Sequence, residues 1–222
     1  MAAEIRAEKM NLTETKEAVM LLMDYAVDAE DITAARELVE RHQNDRISLN
    51  VFHEFYSFLP EAKNDAIKFL KLLTDKEGGF LLAAGTTDNI YCYFATTEGA
   101  EFLGPLNEGI WDKEVLNFFG LSHDESVEKF KNLKNFPFYI PAHMDLKRCP
   151  VCATNHGELH RLGCPVEICP WCGGQLTKCH CRFQKTGRDR LTNEAHLRLF
   201  KEKLNDKGRL PFNATEQSLT LG

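Results

Sequence analysis

Cys149-Pro150-Val151-Cys152 and Cys169-Pro170-Trp171-Cys172 are two Cys-x-x-Cys pairs 16 residues apart, and Cys164, Cys179 and Cys181 lie close to them. Seven of the eight cysteines therefore fall between 149 and 181. Each pair makes a tight knuckle, and four thiolates at this spacing close a tetrahedron around Zn²⁺. The expected module is a zinc-ribbon-like β structure holding one ion through Cys149, Cys152, Cys169 and Cys172. In such a ribbon the chain runs out and back as paired strands on either side of the second knuckle. That pairing sets Cys164 across from Thr177 and Lys178 and His160 across from Cys181, which brings His160, Cys164, Cys179 and Cys181 near one another as a second Cys3His site on the same sheet. Grouping the ligands by sequence neighbourhood gives a different partition: Cys149, Cys152, His160 and Cys164 on one ion, and Cys169, Cys172, Cys179 and Cys181 on the other. Spacing alone leaves both open. One zinc, with the remaining cysteines packed as thiols, is the simpler alternative.

Composition sets the frame for this module. In 222 residues, 43% of them hydrophobic, one good core and a small satellite can be buried. No apolar run exceeds six residues and none resembles a signal peptide, so a cytoplasmic protein without a membrane span is expected. In a reducing compartment the clustered cysteines read as metal ligands rather than disulfides. Cys92, alone in an apolar stretch, reads as a buried small hydrophobe. Charge is split: residues 1–142 carry 14 Lys/Arg against 25 Asp/Glu, and residues 143–222 carry 13 against 8. The two parts have different partners in prospect.

The stretch Gly163-Cys164-Pro165-Val166-Glu167-Ile168-Cys169-Pro170-Trp171-Cys172-Gly173-Gly174-Gln175, followed by Cys179-His180-Cys181, resembles a zinc-ribbon-like module of uncharacterised bacterial proteins. Gly208-Arg209-Leu210-Pro211-Phe212 is similar to the Arg-x-Pro-aromatic segment that follows in them. The resemblance covers about residues 147–222 and implies zinc binding, with no activity attached. Independently of it, the residue after a second knuckle cysteine often needs φ > 0, which suits Gly173. Glu167 reads as a solvated strand residue or as an acceptor supporting a ligand. His156 is a weaker ligand candidate, and His180 points away from the sulfurs on a strand.

The rest of the chain is expected to be α+β: a mostly helical N-terminal domain with a small β-hairpin, then the ribbon-like β module and a C-terminal helix. The boundaries are 1–140, 141–183 and 184–222. Asn11 and Glu14 have capping-box spacing before a helix with Ala18, Leu21, Leu22, Tyr25 and Ala26 on one face. A second helix spans about Thr33 to His42, and a third, capped by Ser48, carries Val51, Phe52, Phe55, Tyr56 and Leu59. A fourth is expected over Glu61 to Leu73. Phe80–Ala84 and Ile90–Ala95 form the hairpin, with a short helix near Glu98 to Leu103. Helices capped by Asp112 and by Ser122 or Asp124 follow, then an extended segment, Phe136 to Pro141, docked by its aromatics. Thr192 caps the last helix, whose apolar face is Leu197, Phe200 and Leu204.

These features favour a non-enzymatic regulatory or adaptor protein, its ribbon and basic tail (ten basic residues against four acidic from Lys178 to Arg209) contacting nucleic acid or a protein partner. A winged-helix-like reading of the N-terminal part rests on Ala95–Leu103 as a strand-to-helix passage, and its acidic balance opposes phosphate contact. A zinc enzyme of hydrolase or transferase type, built on His160, Cys169, Cys172 and Glu167, is the alternative, as is a thiol redox switch.

Overall fold

The structure, a computed structural model, describes residues 10–60, 63–141 and 147–217. They form two compact units. One contains the described residues up to Asp75 together with Phe80–Pro141; the other contains Lys76–Gly79 and the described residues from 147 onward. No helix among the described residues is long and apolar enough to cross a membrane.

In the first unit, α1 (Leu12–Ala26) opens with the capping box, Asn11 Oδ1 accepting from the Glu14 N–H at 3.0 Å and Glu14 returning the bond at 2.7 Å. Its buried face is Thr15, Val19, Met23 and Ala26, one step round the helix from the expected stripe; Tyr25 is 80% exposed. Both stripes are apolar enough to qualify, and packing against α2 and α3 selects one. Helix α2 (Ile32–Arg41) buries Ala35, Leu38 and Val39 as its spacing predicts. Helix α3 (Arg46–Phe58) is capped by Asp45, not Ser48. The Ser48 N–H and hydroxyl both donate to the Asp45 carboxylate, at 2.8 and 2.6 Å.

The four-stranded antiparallel sheet is larger than the expected hairpin: β1 (Phe69–Lys76), β2 (Gly79–Gly85), β3 (Ile90–Ala95) and β4 (Ala100–Pro105), neighbouring in chain order. Of the residues expected to form a fourth helix, Phe69–Leu73 belong to strand β1 and 63–68 lead into it without regular structure, Glu61 and the residue after it lying outside the described residues. Leu70 and Leu73 are both buried, and a spacing of three is one face of a helix but two faces of a strand. This sheet is covered on both faces, so the odd spacing costs nothing. Tyr91 of β3 meets Phe55 of α3 on one side, while Cys92 joins Leu73, Leu81 and Ala83 against Val115, Leu116 and Phe130 on the other. Burial pushes the Cys92 thiol up to about 12, as suits a packed hydrophobe.

The short helix expected near Glu98 is β4, entered by a turn in which the Thr96 N–H donates to the Gly99 carbonyl at 2.9 Å. Ala95–Leu103 is thus a strand–turn–strand passage, which removes the basis of the winged-helix reading. Helices α4 (Lys113–Phe119) and α5 (His123–Phe130) are capped by Asp112 and Ser122. The segment Phe136–Pro141 is extended: the Leu72 N–H donates to the Pro137 carbonyl and the Tyr139 N–H to that of Leu70. Buried Tyr139 also donates its hydroxyl to Asp45 at 3.1 Å, tying this segment to the α3 cap.

The expected zinc-ribbon β module is not formed. Between 147 and 186 the only β pairings among the described residues are the isolated bridges Arg148↔Asn155 and Ile168↔Gln175, followed by a short helix, α6 (Cys181–Thr186). Each knuckle instead draws its remaining donors from the loop that directly follows it: His160 comes eight positions after Cys152, and Cys179 seven after Cys172. Each loop must return its next ligand before two strands can extend. Helix α7 (Glu194–Lys207), capped by Asn193 rather than Thr192, buries Phe200 and Leu204 in the same unit.

Candidate metal centres

Two knuckles with the same backbone build the site. In the first, the Cys149 N–H donates to Thr154 O and the Ala153 N–H to Cys149 O, at 2.8 and 2.9 Å; in the second, Cys169 donates to Gly174 O and Gly173 to Cys169 O, at 2.7 and 2.9 Å. Both carry the single bridge at the same offset, one residue before the first cysteine and three after the second. The residue after the second cysteine is left-handed in each: φ is 58° at Ala153 and 73° at Gly173. This repeat is hidden in the sequence because only the cysteines and prolines coincide.

A left-handed alanine costs roughly 1–2 kcal/mol, while glycine in an ordered chain costs about 0.5–1 in entropy. Ala153→Gly is accordingly expected to stabilise the zinc-loaded protein by about 0.5–1 kcal/mol. Gly173→Ala, whose Cβ would meet nothing within 4 Å, should destabilise it by a similar amount through φ alone. Thermal unfolding of the two zinc-loaded variants reads both signs.

The donor atoms gather by sequence neighbourhood. Those of Cys149, Cys152, His160 and Cys164 all lie within 4.8 Å of one another, as do those of Cys169, Cys172, Cys179 and Cys181, and each group can chelate a metal ion. The two Cys-x-x-Cys pairs, expected to share an ion in a ribbon, are brought to different groups, and so are the pairs His160/Cys164 and Cys179/Cys181. The Cys149 and Cys164 sulfurs are 3.8 Å apart, and the edge of a tetrahedron with Zn–S bonds of about 2.3 Å is also about 3.8 Å. Soft thiolates with imidazole suit zinc among the common divalent ions.

The two groups differ in exposure. All four residues of the first are buried; in the second Cys169 is buried, Cys179 and Cys181 are half-buried and Cys172 is exposed. Burial alone would depress the His160 imidazole, but hydrogen bonds to the Cys149 and Cys152 sulfurs and to Gln217 outweigh it and hold the pKa at about 10. The Cys152 thiol is pulled down by hydrogen bonds from Cys149 and then Cys164. A pocket that holds a proton on His160 beside a thiolate equally favours a divalent cation, which would displace that proton. In the second group burial pushes Cys169 up to about 12, and the Gly174 N–H and the Cys169 sulfur draw Cys172 down.

Residues that follow in sequence support the ligands. His160 Nδ1 lies 3.3 Å from the Cys152 sulfur, and its Nε2 lies 3.0 Å from Gln217 Oε1, which fixes the ring with Nδ1 toward the sulfurs. Gln217 is held by the Asn213 backbone N–H. Removing such a support costs roughly 10–100-fold in metal affinity, so Gln217→Ala should weaken the first group by that factor. Chelator competition in a Cys172→Ser background, where the second group is disabled, isolates the effect. Phe212 is buried with Cys149, Cys152, Cys164 and Val166 and packs edge-on against His160 at 5.2 Å. The turn Lys76–Gly79 also belongs to this unit, and a Cβ on Gly78 would stand 2.2 Å from the Cys152 carbonyl oxygen.

Glu167 is not a solvated residue. It is 1% exposed, and Oε1 accepts from Arg209 Nε at 2.8 Å, while the other end of the same guanidinium donates to the His160 carbonyl. Burial pushes the carboxyl up and Arg209 pulls it back. Arg209 and Phe212 thus give the Gly208–Phe212 segment its work, one tying down Glu167 and the other packing on His160. His156 is outside both groups, its Nδ1 accepting from the Ala214 N–H. His180 is exposed at the start of α6.

No family model, curated protein or solved structure matches the chain. With neither cysteine group in a β-ribbon, the resemblance to the zinc-ribbon-like bacterial module is not upheld.

Proposed function

We propose that this chain is a non-enzymatic protein in which two Zn²⁺ ions, one in each cysteine group, fold the second unit so that it can bind a protein partner as an adaptor. The observation that carries the reading is the donor count. Each group offers four nitrogen or sulfur donors, the number a structural tetrahedral site uses, whereas a catalytic zinc keeps one position for water. The Arg209 guanidinium occupies Glu167, so this carboxylate is engaged as an ion-pair partner instead of standing free as a base beside a metal. The excess of basic residues from Lys178 to Arg209 suits an acidic partner.

Metal analysis of protein purified without added zinc should return two equivalents per chain. Cys152→Ser and Cys172→Ser should each lose one and keep the other. If the parent holds only one ion and either substitution removes it, one shared site replaces this reading; if neither variant loses metal, zinc has no part in it.

A further inference from the structure

The second unit contains a cavity of about 520 Å³, within the range of ligand and side-chain pockets, lined by residues of α6, α7 and the loops before them. Leu176 and Phe200 supply buried lining, and Leu191 and Phe183 are half-buried within it. Leu162 and Leu197 also line it, and they remain 38% and 47% exposed, large apolar side chains left at the surface. Leu197 belongs to the apolar stripe of α7, yet it does not share the burial of Phe200 and Leu204. The polar side chains of the lining are Thr177, Arg182 and Arg190, and no carboxylate is among them.

The two arginines are placed differently. Arg182 donates to the Thr177 carbonyl and lies over the Phe183 ring at 4.6 Å, so it is built into the wall. Arg190 is exposed. The cavity therefore combines apolar lining with a positive rim, and the adjoining sequence carries Lys178, Lys185 and Arg188 against the single acid Asp189.

We infer that this cavity is the docking site for a partner peptide that inserts a large apolar side chain and places an Asp or Glu carboxylate on Arg190. The inference rests on the proposed function, for which it names the partner's chemistry. Charge complementarity favours an anion, since two guanidiniums and no carboxylate are among the lining residues. The apolar character decides which anion. Most of the lining is apolar, with Thr177, Arg182 and Arg190 its polar side chains, and a leucine or phenylalanine side chain is matched by the surface that Leu162, Leu197 and Phe200 offer. The exposed leucines call for an occupant that extends past the cavity, as a peptide does.

The test is selection of a random twelve-residue peptide library on the full-length, zinc-loaded chain, with metal content measured on the same sample. Enriched peptides should share a large apolar residue within a few positions of Asp or Glu. Arg190→Glu and Leu197→Asp, both at exposed positions, should each weaken the enriched peptides about tenfold or more with the zinc content unchanged. No enrichment, or enriched peptides indifferent to both variants, overturns the docking site. Binding of a single-stranded dT20 oligonucleotide that Arg190→Glu abolishes, with no peptide enriched, overturns it in favour of nucleic acid. The metal measurement separates failures: two zinc equivalents without peptide binding defeats the docking site alone, and loss of the expected equivalents defeats the proposed function whatever the peptides do.

Discussion

Stripping zinc with a strong chelator at pH 7 is expected to unfold residues 147–217 while residues 10–141 stay protected, a difference that limited proteolysis followed by mass spectrometry reads directly. Apart from cysteine and Ala153, the buried apolar side chains of the described residues from 147 onward are Val166, Leu176, Phe200, Leu204 and Phe212. Each contributes about 1.5–3 kcal/mol on burial, far less together than the cost of ordering a segment of this length at roughly 1–2 kcal/mol per residue. A structural zinc ion supplies about 10–16 kcal/mol of apparent folding free energy, so two ions contribute more than these five side chains and their loss is expected to cost the segment its fold. The first unit has its own core, including Phe52, Phe55, Phe80, Leu81 and Tyr91, and does not draw on the metal. Release should also be ordered. Exposed Cys172 and half-buried Cys179 and Cys181 admit the chelator, whereas the first group is closed on all four ligands. The second equivalent should therefore leave first, and a Cys172→Ser variant should show only the slow phase. An apo protein that keeps the same protection over residues 147–217 would defeat the metal-folded reading.

Arg209→Ala is expected to cost about 3–5 kcal/mol in the zinc-loaded protein, the usual penalty for orphaning one member of a buried ion pair. Glu167 is 1% exposed and the Arg209 side chain 8%, so solvent does little to screen the loss. Glu167 Oε2 has no hydrogen-bond partner among the described residues, which leaves the guanidinium as the main compensation for the charge. The same arginine donates to the His160 carbonyl, so its removal should also loosen the first metal group. The double replacement Glu167→Leu, Arg209→Met should recover most of the stability, because well-packed apolar residues often replace a buried pair at no net cost. Chemical denaturation of the single and the double variant measures this. A single variant within about 0.5 kcal/mol of the parent would mean that the pair is dispensable.

Several elements were legible in the chain because their causes are local. The capping box of Asn11 and Glu14, the Asp112 and Ser122 caps, and the β2–β3 hairpin around Gly85–Asn89 depend on residues a few positions apart. The two Cys-x-x-Cys knuckles that supply candidate donors were legible for the same reason, since a knuckle is a four-residue object. Their partition was not. It depends on how far the chain returns after each knuckle, and the ribbon and neighbourhood groupings use the same residues at the same spacings.

What the amino-acid sequence determined by itself is the chemistry of the last third of the chain: soft donors in two knuckles, a glycine suited to a left-handed turn after the second, and an excess of basic residues. Tertiary structure alone decided that Leu70 and Leu73 serve two faces of a sheet instead of one face of a helix, that Val19 and Met23 rather than Leu21 and Tyr25 face inward, and that Glu167 is buried against Arg209. The physical reason is common to all three. Turns, caps and knuckles are stabilised by bonds within a few residues, while the choice between two apolar faces, or between solvent and an ion-pair partner 42 residues away, is made only when distant segments pack.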